Sequence, residues 1–290
     1  MIPYTSLNEY AGAIVSLTYN ELLQTNNTDL RDLLFEKKVL VFKNFAGLSP
    51  KQIIDVASKL GTPWTYKQYT AIKEDARLDA TGRAYTDYTN QSYSRLFSGI
   101  PWHVDIANEK EFARYPSRIL YCIELPSEFR GMTTDVSNME AAYSNLTDEE
   151  KEFYSNVFFT YQSWQKIGTN IRDLPAVETH PRTGKKFLRL NAVSQDNGWI
   201  RAWYKLNSDG TKTYLDNAEL KKIVLDLGNK YQYAHNWEVG DMIIFDNWGT
   251  LHRKGEGEIF PNSTGNRRFV RISIDTGLDT EFLNGNVNTK

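Results

Sequence analysis

Short runs of β-branched and aromatic residues recur along this 290-residue chain, and long stretches separate them. Turn-forming residues bound each run, so we predict that the runs are β-strands. Because the runs lie far apart in the sequence, their partners in a sheet are also distant, which predicts a non-local β architecture. The predicted strands are Lys38–Phe42, Arg118–Glu124, Lys186–Asn191, Asp241–Phe245 and Arg268–Ile274.

Three stretches between these strands have the apolar spacing of helices: Ser49–Leu60, Asp148–Val157 and Asn217–Gly228. Ser49 is a suitable N-cap for the first, and Gly61 a suitable stop. We expect these helices to pack on the outside of a sheet or sandwich.

The sequence shows no repeat, no low-complexity tract and no Pro/Gly/Ser-rich linker. A single domain over residues 1–290 is therefore expected. The connection over residues 62–100 is long, rich in polar and aromatic residues and weak in apolar period. We predict that it is a lid or a substrate-binding insertion.

Charge and cysteine content limit the function classes. The 34 Lys and Arg residues nearly balance the 36 Asp and Glu residues, which gives no general attraction to nucleic acid or to an anionic membrane. Cys122 is the only cysteine, so an intrachain disulfide and a Cys-based metal site are excluded. The sequence also lacks a secretory signal and any run of about 18 apolar residues. We expect a cytoplasmic protein, and the sequence is compatible with a homo-oligomer.

A metal site is indicated by His103 and Asp105, which are two positions apart and share one face of an extended strand. Such a pair can chelate a cation, and His252, just beyond a predicted strand, is the candidate third ligand. Two histidines and one carboxylate form a facial triad with open coordination positions. Zinc can also occupy such a triad, but a downstream arginine disfavours this alternative.

That arginine is Arg271, in the alternating segment RRFVRISID, where Arg267, Phe269 and Arg271 share one face. A buried guanidinium is costly unless an anion meets it, and the distal carboxylate of 2-oxoglutarate offers a bidentate partner. The alternative is an exposed basic strand face, and for Arg271 we favour anion binding.

Four ordered segments resemble the taurine dioxygenase-like (TauD/TfdA-like) family of Fe(II)/2-oxoglutarate-dependent dioxygenases. They are WHVD from Trp102, GMTTDVSNMEAAYSNL from Gly131, THPRTGKKFLRLN from Thr179, and GDMIIFDNWGTLHRK from Gly240, which RRFVRISI follows. An earlier piece, VLVFKNFAGLSPKQIIDVASKLGTP, looks like the first strand and helix of that family. The resemblance thus covers nearly the whole chain.

The resemblance implies a mainly β fold with flanking helices around a double-stranded β-helix (jelly-roll, cupin-like) core. It assigns His103, Asp105 and His252 to Fe(II). It also implies that Arg271 binds the far carboxylate of 2-oxoglutarate, with Arg267 beside it.

A threonine binds a carboxylate of 2-oxoglutarate in that family, and Thr134 is at the corresponding position. The family usually has Gly-Gly-Asp-Thr where this chain has Gly131-Met132-Thr133-Thr134, so Thr133 is the alternative.

The implied reaction consumes 2-oxoglutarate and O₂, releases succinate and CO₂, and hydroxylates an unactivated C–H bond. We expect a small polar metabolite, such as an amino acid or a derivative, as the substrate. The candidate contacts are Tyr66, Tyr69, Arg95 and Trp248. Two alternatives remain: desaturation or isocyanide formation on a modified amino acid by the same fold, and a non-catalytic sensor that binds iron and 2-oxoglutarate.

Overall fold

The computed structural model describes residues 2–43, 45–63, 76–78, 84–89, 100–108, 113–114, 117–162, 171–190 and 200–276. These residues form short helices and many strands. The helices are α1 (Tyr19–Gln24), α2 (Asn27–Lys37), α3 (Pro50–Leu60), α4 (Met139–Ser144), α5 (Asp148–Ser155) and α6 (Asn217–Lys230). The strands of the first half are β1 (Tyr4–Ser6), β2 (Ala13–Val15), β3 (Val39–Phe42), β4 (Thr62–Pro63), β5 (Ala76–Leu78), β6 (Ala84–Thr89), β7 (Ile100–His103), β8 (Ile106–Asn108), β9 (Ala113–Arg114), β10 (Ser117–Glu124), β11 (Phe129–Gly131) and β12 (Thr134–Asn138). Those of the second half are β13 (Val157–Gln162), β14 (Ile171–Pro175), β15 (Val177–Thr179), β16 (Lys186–Leu188), β17 (Ile200–Leu206), β18 (Lys212–Tyr214), β19 (Gln232–His235), β20 (Met242–Asp246), β21 (Thr250–Lys254), β22 (Gly257–Ile259) and β23 (Arg268–Asp275).

The five predicted strands and the three predicted helices are present, with ends that differ by a few residues. The shortest match is β16, which ends at Leu188, whereas the prediction extended to Asn191, outside the described residues. Ser49 caps α3 in a capping box with Gln52, and Gly61 ends the helix, as the sequence predicts.

Two sheets build the core. The larger sheet has the order β1-β2-β3-β20-β10-β23-β6-β5, with β4 also pairing with β23. The smaller sheet has the order β19-β12-β21-β7. All pairs are antiparallel except β2 with β3. Partners such as β10 and β23 are far apart in the sequence, which confirms the non-local architecture.

Strand alternation gives the larger sheet two apolar faces. On β20, Ile243 and Phe245 belong to a cluster that also contains Val136 of the smaller sheet, so this cluster fills the space between the two sheets. Met242 and Ile244 point the other way and pack with helices α1, α2 and α3. The mainly β fold with a jelly-roll core and flanking helices is therefore confirmed.

A further core cluster covers the outer face of the smaller sheet. Trp102 of β7 and Leu251 of β21 pack there with residues of α4, α6 and β13. Helix α6 approaches Trp102 closely at Gly228, where a Cβ atom would lie 2.5 Å from the indole Nε1. A glycine is thus required there, and the contact fixes the residue that precedes His103.

None of the helices in the described part of the chain is long and apolar enough to cross a bilayer.

Candidate metal centre

Strands β7 and β21 of the smaller sheet bring the predicted ligands together. His103 and His252 are directly paired across these strands, and their rings are 4.2 Å apart between centroids. Asp105 follows β7, and its two carboxylate oxygens lie 3.9 Å from His103 Nε2 and 3.6 Å from His252 Nε2. One cation with ligand distances of about 2 Å can contact all three groups. The His-x-Asp pattern therefore joins His252 in space, as predicted.

Both imidazoles are prepared to act as ligands. His103 Nδ1 lies 2.8 Å from the Pro101 carbonyl oxygen, which can only accept a hydrogen bond, so Nδ1 carries the proton and Nε2 keeps its lone pair. His252 is buried, and burial lowers the pKa of His252 well below its usual value. At neutral pH the His252 ring is therefore uncharged, and one of its two nitrogens is free of a proton and can bind a metal. A set of two nitrogens and one carboxylate oxygen fits Fe(II).

Two arginines of the larger sheet flank the carboxylate of Asp105. Arg118 Nε lies 2.8 Å from Asp105 Oδ2, and Arg271 Nη1 lies 4.0 Å from the same oxygen. Burial by itself raises the pKa of the Asp105 carboxyl. The permanent charges of Arg118 and Arg271 outweigh burial and hold this pKa well below its usual range. Asp105 is therefore ionised at neutral pH.

Sequence reasoning missed Arg118, which was treated only as the start of a strand. Arg118 is 3% exposed and lies on the same face of β10 as Leu120 and Cys122, the face that points between the sheets. The available signal was a cation on the strand face that also carries Leu120 and Cys122.

The turn between β20 and β21 contacts the metal centre through Asn247. Its side-chain amide accepts a hydrogen bond from the Asp105 N–H (3.1 Å) and donates one to the Asp105 carbonyl (2.8 Å). The preceding residue, Asp246, is also buried. Its Oδ1 accepts from the backbone N–H groups of Trp248 and Gly249, and so closes the turn.

A buried charge cluster holds Asp246 from behind. Lys38 Nζ lies 3.1 Å from Asp246 Oδ2 and 2.6 Å from Glu140 Oε1, and His180 Nε2 lies 3.0 Å from Asp246 Oδ2. Burial raises the pKa of Asp246, but the charges of Lys38 and His180 outweigh it and lower that pKa. His180 is thus part of the support of this turn, and its hydrogen bonds place it outside the metal cluster.

A second group of cations lies beside Thr134, on the inward face of the smaller sheet. Lys254 is two positions beyond His252 and is paired with Thr134 across β12 and β21. Arg267 Nη2 lies 3.4 Å from the carbonyl of Met132. Burial lowers the pKa of Arg267 to about 10, and burial together with the charge of Arg267 lowers the pKa of Lys254 to about 8. Two desolvated cations near one hydroxyl form a site suited to a carboxylate. Sequence reasoning missed Lys254.

The two threonines differ in environment. Thr134 is buried, and its hydroxyl oxygen accepts a hydrogen bond from the indole N–H of Trp237 at 3.1 Å, which leaves the hydroxyl hydrogen available to an anion. Thr133 lies against Gly255, at which a Cβ atom would come 2.2 Å from the Thr133 hydroxyl oxygen. The backbone before them is left-handed at Gly131 (φ 67°) and Met132 (φ 56°). Met132 thus takes a backbone conformation that favours glycine, at the position where the family usually has its second glycine.

The sequence prediction for Trp248 needs correction. Trp248 is 4% exposed and packs in the cluster on the outer face of the smaller sheet, so it is a core residue. The remaining histidine, His235, is 2% exposed and lies 3.0 Å from Asp241 Oδ2, away from the metal ligands. The predicted substrate contacts Tyr66, Tyr69 and Arg95 lie outside the described residues.

With fold and geometry established, comparisons with known proteins identify the class. The family model described as "Taurine catabolism dioxygenase TauD, TfdA family" matches residues 3–273. The chain belongs to this family and is an Fe(II)/2-oxoglutarate-dependent dioxygenase, with Fe(II) as cofactor and 2-oxoglutarate and O₂ as co-substrates. It is therefore an enzyme, which removes the non-catalytic sensor from the alternatives.

Individual relatives are distant. The chain is 25% identical over 275 residues to an alpha-ketoglutarate-dependent 2,4-dichlorophenoxyacetate dioxygenase of Cupriavidus pinatubonensis, over 84% of this chain and 88% of the relative. It is 21% identical over 271 residues to a 3-((Z)-2-isocyanoethenyl)-1H-indole synthase of Fischerella ambigua, over 91% and 92% of the two chains. The crystal structure of a taurine dioxygenase from Burkholderia xenovorans superposes with a TM-score of 0.65 at 18% identity, over 94% and 89% of the two chains. The last likeness shows the shared fold.

Proposed function

We propose that this enzyme hydroxylates an unactivated C–H bond of a small polar metabolite, an amino acid or a derivative, and that His103, Asp105 and His252 hold its Fe(II). The convergence of these three donors within 4.8 Å of one another is the observation on which the proposal rests. Bound Fe(II) would supply open coordination positions at which 2-oxoglutarate and O₂ meet beside the substrate, with release of succinate and CO₂. We further propose that one catalytic domain spans residues 1–290.

The sequence led us to expect that Arg271 binds the far carboxylate of 2-oxoglutarate, with Arg267 beside it. The geometry supports Arg267 for that role instead. Two methylene groups separate the far carboxylate of 2-oxoglutarate from the keto acid that binds the metal. Arg271 lies beside Asp105, at the metal end, whereas Arg267 lies beside Met132 and near Thr134. We therefore assign the far carboxylate to Arg267, Thr134 and Lys254, and we place Arg271 at the metal end of the site.

Charge supports a substrate that brings a carboxylate. The described side chains of these two groups comprise four cations, Arg118, Arg271, Arg267 and Lys254, and one carboxylate, that of Asp105. Fe(II) adds positive charge, and a dianionic 2-oxoglutarate offsets only part of the total. A site with a surplus of positive charge favours a substrate that carries a carboxylate. Amino acids bring one, and their N-acyl or isocyano derivatives, which lack the ammonium charge, are also anionic overall. The lid or insertion over residues 62–100, with Tyr66, Tyr69 and Arg95, remains our proposal for the rest of the substrate contacts.

Desaturation or isocyanide formation on a modified amino acid is the second candidate reaction. The similarity to the isocyanoethenyl-indole synthase favours it, because that likeness extends over nearly the whole of both chains. Both reactions use the same cofactor and co-substrates. The products differ in composition: hydroxylation adds one oxygen atom, desaturation removes two hydrogen atoms, and isocyanide formation converts a carbon substituent on nitrogen into a terminal isocyanide.

The test begins with anaerobic addition of Fe(II) and 2-oxoglutarate to the pure protein, which should give a weak visible charge-transfer band. Aeration with a panel of amino acids and N-modified amino acids should then release succinate with one class of compound, and mass spectrometry of that product distinguishes the two reactions. Asp105→Ala should lose band and product, whereas Arg130→Met, which removes an exposed cation of β11, should keep both. A folded wild-type protein that shows neither band nor succinate would refute the proposal.

A further inference from the structure

Asp105 lies where the smaller sheet ends. Strand β7 stops at His103, and the backbone of Asp105 is not part of a strand. A ligand on such a segment is free to move unless something else binds its backbone. The side chain of Asn247 does so, because its amide forms the two hydrogen bonds that a neighbouring strand would otherwise provide.

Asn247 is itself firmly held. It is completely buried, and it follows Asp246, whose carboxylate closes the turn through the N–H groups of Trp248 and Gly249. The hydroxyl of Thr250 donates to the Asp246 carbonyl at the start of β21. The ion pair of Asp246 with Lys38 anchors the same turn to the N-terminal part of the fold.

The turn that holds Asn247 leads directly into β21, the strand of His252. One rigid unit therefore determines two positions at once: the backbone of Asp105, through Asn247, and the path of the chain to His252. We propose that Asn247 is a positioning residue that keeps the Asp105 carboxylate within reach of a metal shared with His103 and His252. This inference rests on the proposed ligand set and adds to it a residue that does not touch the metal.

The test measures metal affinity and not turnover. Asn247→Leu has a similar volume but cannot form the two hydrogen bonds. It should weaken Fe(II) binding about 10- to 100-fold in anaerobic calorimetry without 2-oxoglutarate, the range typical of lost outer-shell partners. Asn138→Ala is the matched control: Asn138 is also a buried asparagine, and it holds backbone groups of Glu140, Ala141 and Tyr10. This variant should lower the urea midpoint yet bind Fe(II) like the wild type.

Each outcome decides a different point. If the wild type binds no Fe(II), the proposed function fails. If the wild type binds Fe(II) and folded Asn247→Leu binds it equally tightly, the positioning role is wrong. The role is also wrong if Asn138→Ala loses Fe(II) affinity to the same extent, because the loss in Asn247→Leu would then reflect general stability.

A measurement on the wild type covers the case in which Asn247→Leu does not fold. The Asp105 amide donates to Asn247 in the structure, so in the metal-free protein it should exchange its hydrogen slowly, as strand amides do. Exchange at the rate of an open loop would overturn the inference without any variant.

Discussion

In metal-free protein, replacing Asp105 by Asn removes the charge opposite Arg118 while keeping the shape of the side chain. Arg118 is almost completely buried, and its Nε lies 2.8 Å from Asp105 Oδ2. The variant leaves a buried guanidinium facing a neutral amide, with Arg271 nearby as a second cation. We therefore expect Asp105→Asn to be markedly less stable than the wild type when no metal is present.

The magnitude follows from the distance and the exposure. Two unit charges 2.8 Å apart interact by about 6 kcal/mol at an effective dielectric constant of about 20. The side chain of Asp105 is 21% exposed, so solvent screens part of this energy. Removing one partner of a buried pair costs about 3–5 kcal/mol, and for this partly exposed pair we expect a loss of about 3 kcal/mol.

A double-mutant cycle with Arg118→Met isolates the pair. The double variant should be more stable than the sum of the two single changes predicts, with a coupling energy of about 2–3 kcal/mol. The assay is urea unfolding at pH 7 with a metal chelator, followed by tryptophan fluorescence. Arg130 and Glu258, an exposed pair at 2.9 Å, provide the matched cycle, in which the coupling should stay below about 1 kcal/mol.

The pH dependence has a definite sign. The pKa of Asp105 is lower in the folded than in the unfolded protein, so its contribution is present above the unfolded value of about 3.9 and is lost as the pH falls below it. The Asp105–Arg118 coupling should therefore be equal at pH 7 and pH 5. A coupling of about 0.5 kcal/mol or less at pH 7 would refute this account of the site.

Three further predictions concern the co-substrate pocket and the packing behind the metal centre. Arg267→Met should raise the Kd of 2-oxoglutarate at least about 10-fold in anaerobic calorimetry, since a hydrogen bond to a charged group contributes about 1.5–3 kcal/mol. The Kd of 2-oxobutyrate, which lacks the far carboxylate, should not change, and an equal rise for both compounds would contradict the assignment. Thr134→Val should weaken 2-oxoglutarate binding several-fold while Thr133→Val leaves it unaltered, and the reverse pattern would select Thr133. Gly228→Ala should cost about 1–3 kcal/mol in urea unfolding, because the new methyl group meets Trp102; an unchanged midpoint would exclude that contact.

The parts of the fold that were predictable depend on local patterns. Strand alternation placed Arg267, Phe269 and Arg271 on one face, and the structure confirms that face as the one between the sheets. Ser49, the predicted N-cap, marked the start of α3. The same-face spacing of His103 and Asp105 indicated a metal site before any tertiary contact was known.

The parts that were missed depend on contacts between distant segments. Asn247 reaches Asp105 across 142 positions of sequence, and nothing local to either residue indicates the two hydrogen bonds. Arg118 required knowledge of which face of β10 points between the sheets. Trp248 lies only four positions before His252 in the sequence and was a candidate substrate contact, whereas the turn directs its indole into the outer core cluster.

The two sheets contribute different chemistry to the site. His103 and His252 lie on the smaller sheet, together with the turn that orients Asp105, whereas Arg118 and Arg271 lie on adjacent strands of the larger sheet. Metal affinity should thus respond mainly to changes in β7, β21 and the turn before β21. Anion binding at the metal end should respond mainly to changes in β10 and β23.

Asp105 depends on both sheets. Asn247, in the turn before β21 of the smaller sheet, holds its backbone, and Arg118 of the larger sheet holds its carboxylate. Any change that alters the spacing between the sheets must therefore affect Asp105 first, and loss of Fe(II) affinity is the earliest effect to expect from variants in the apolar cluster between them.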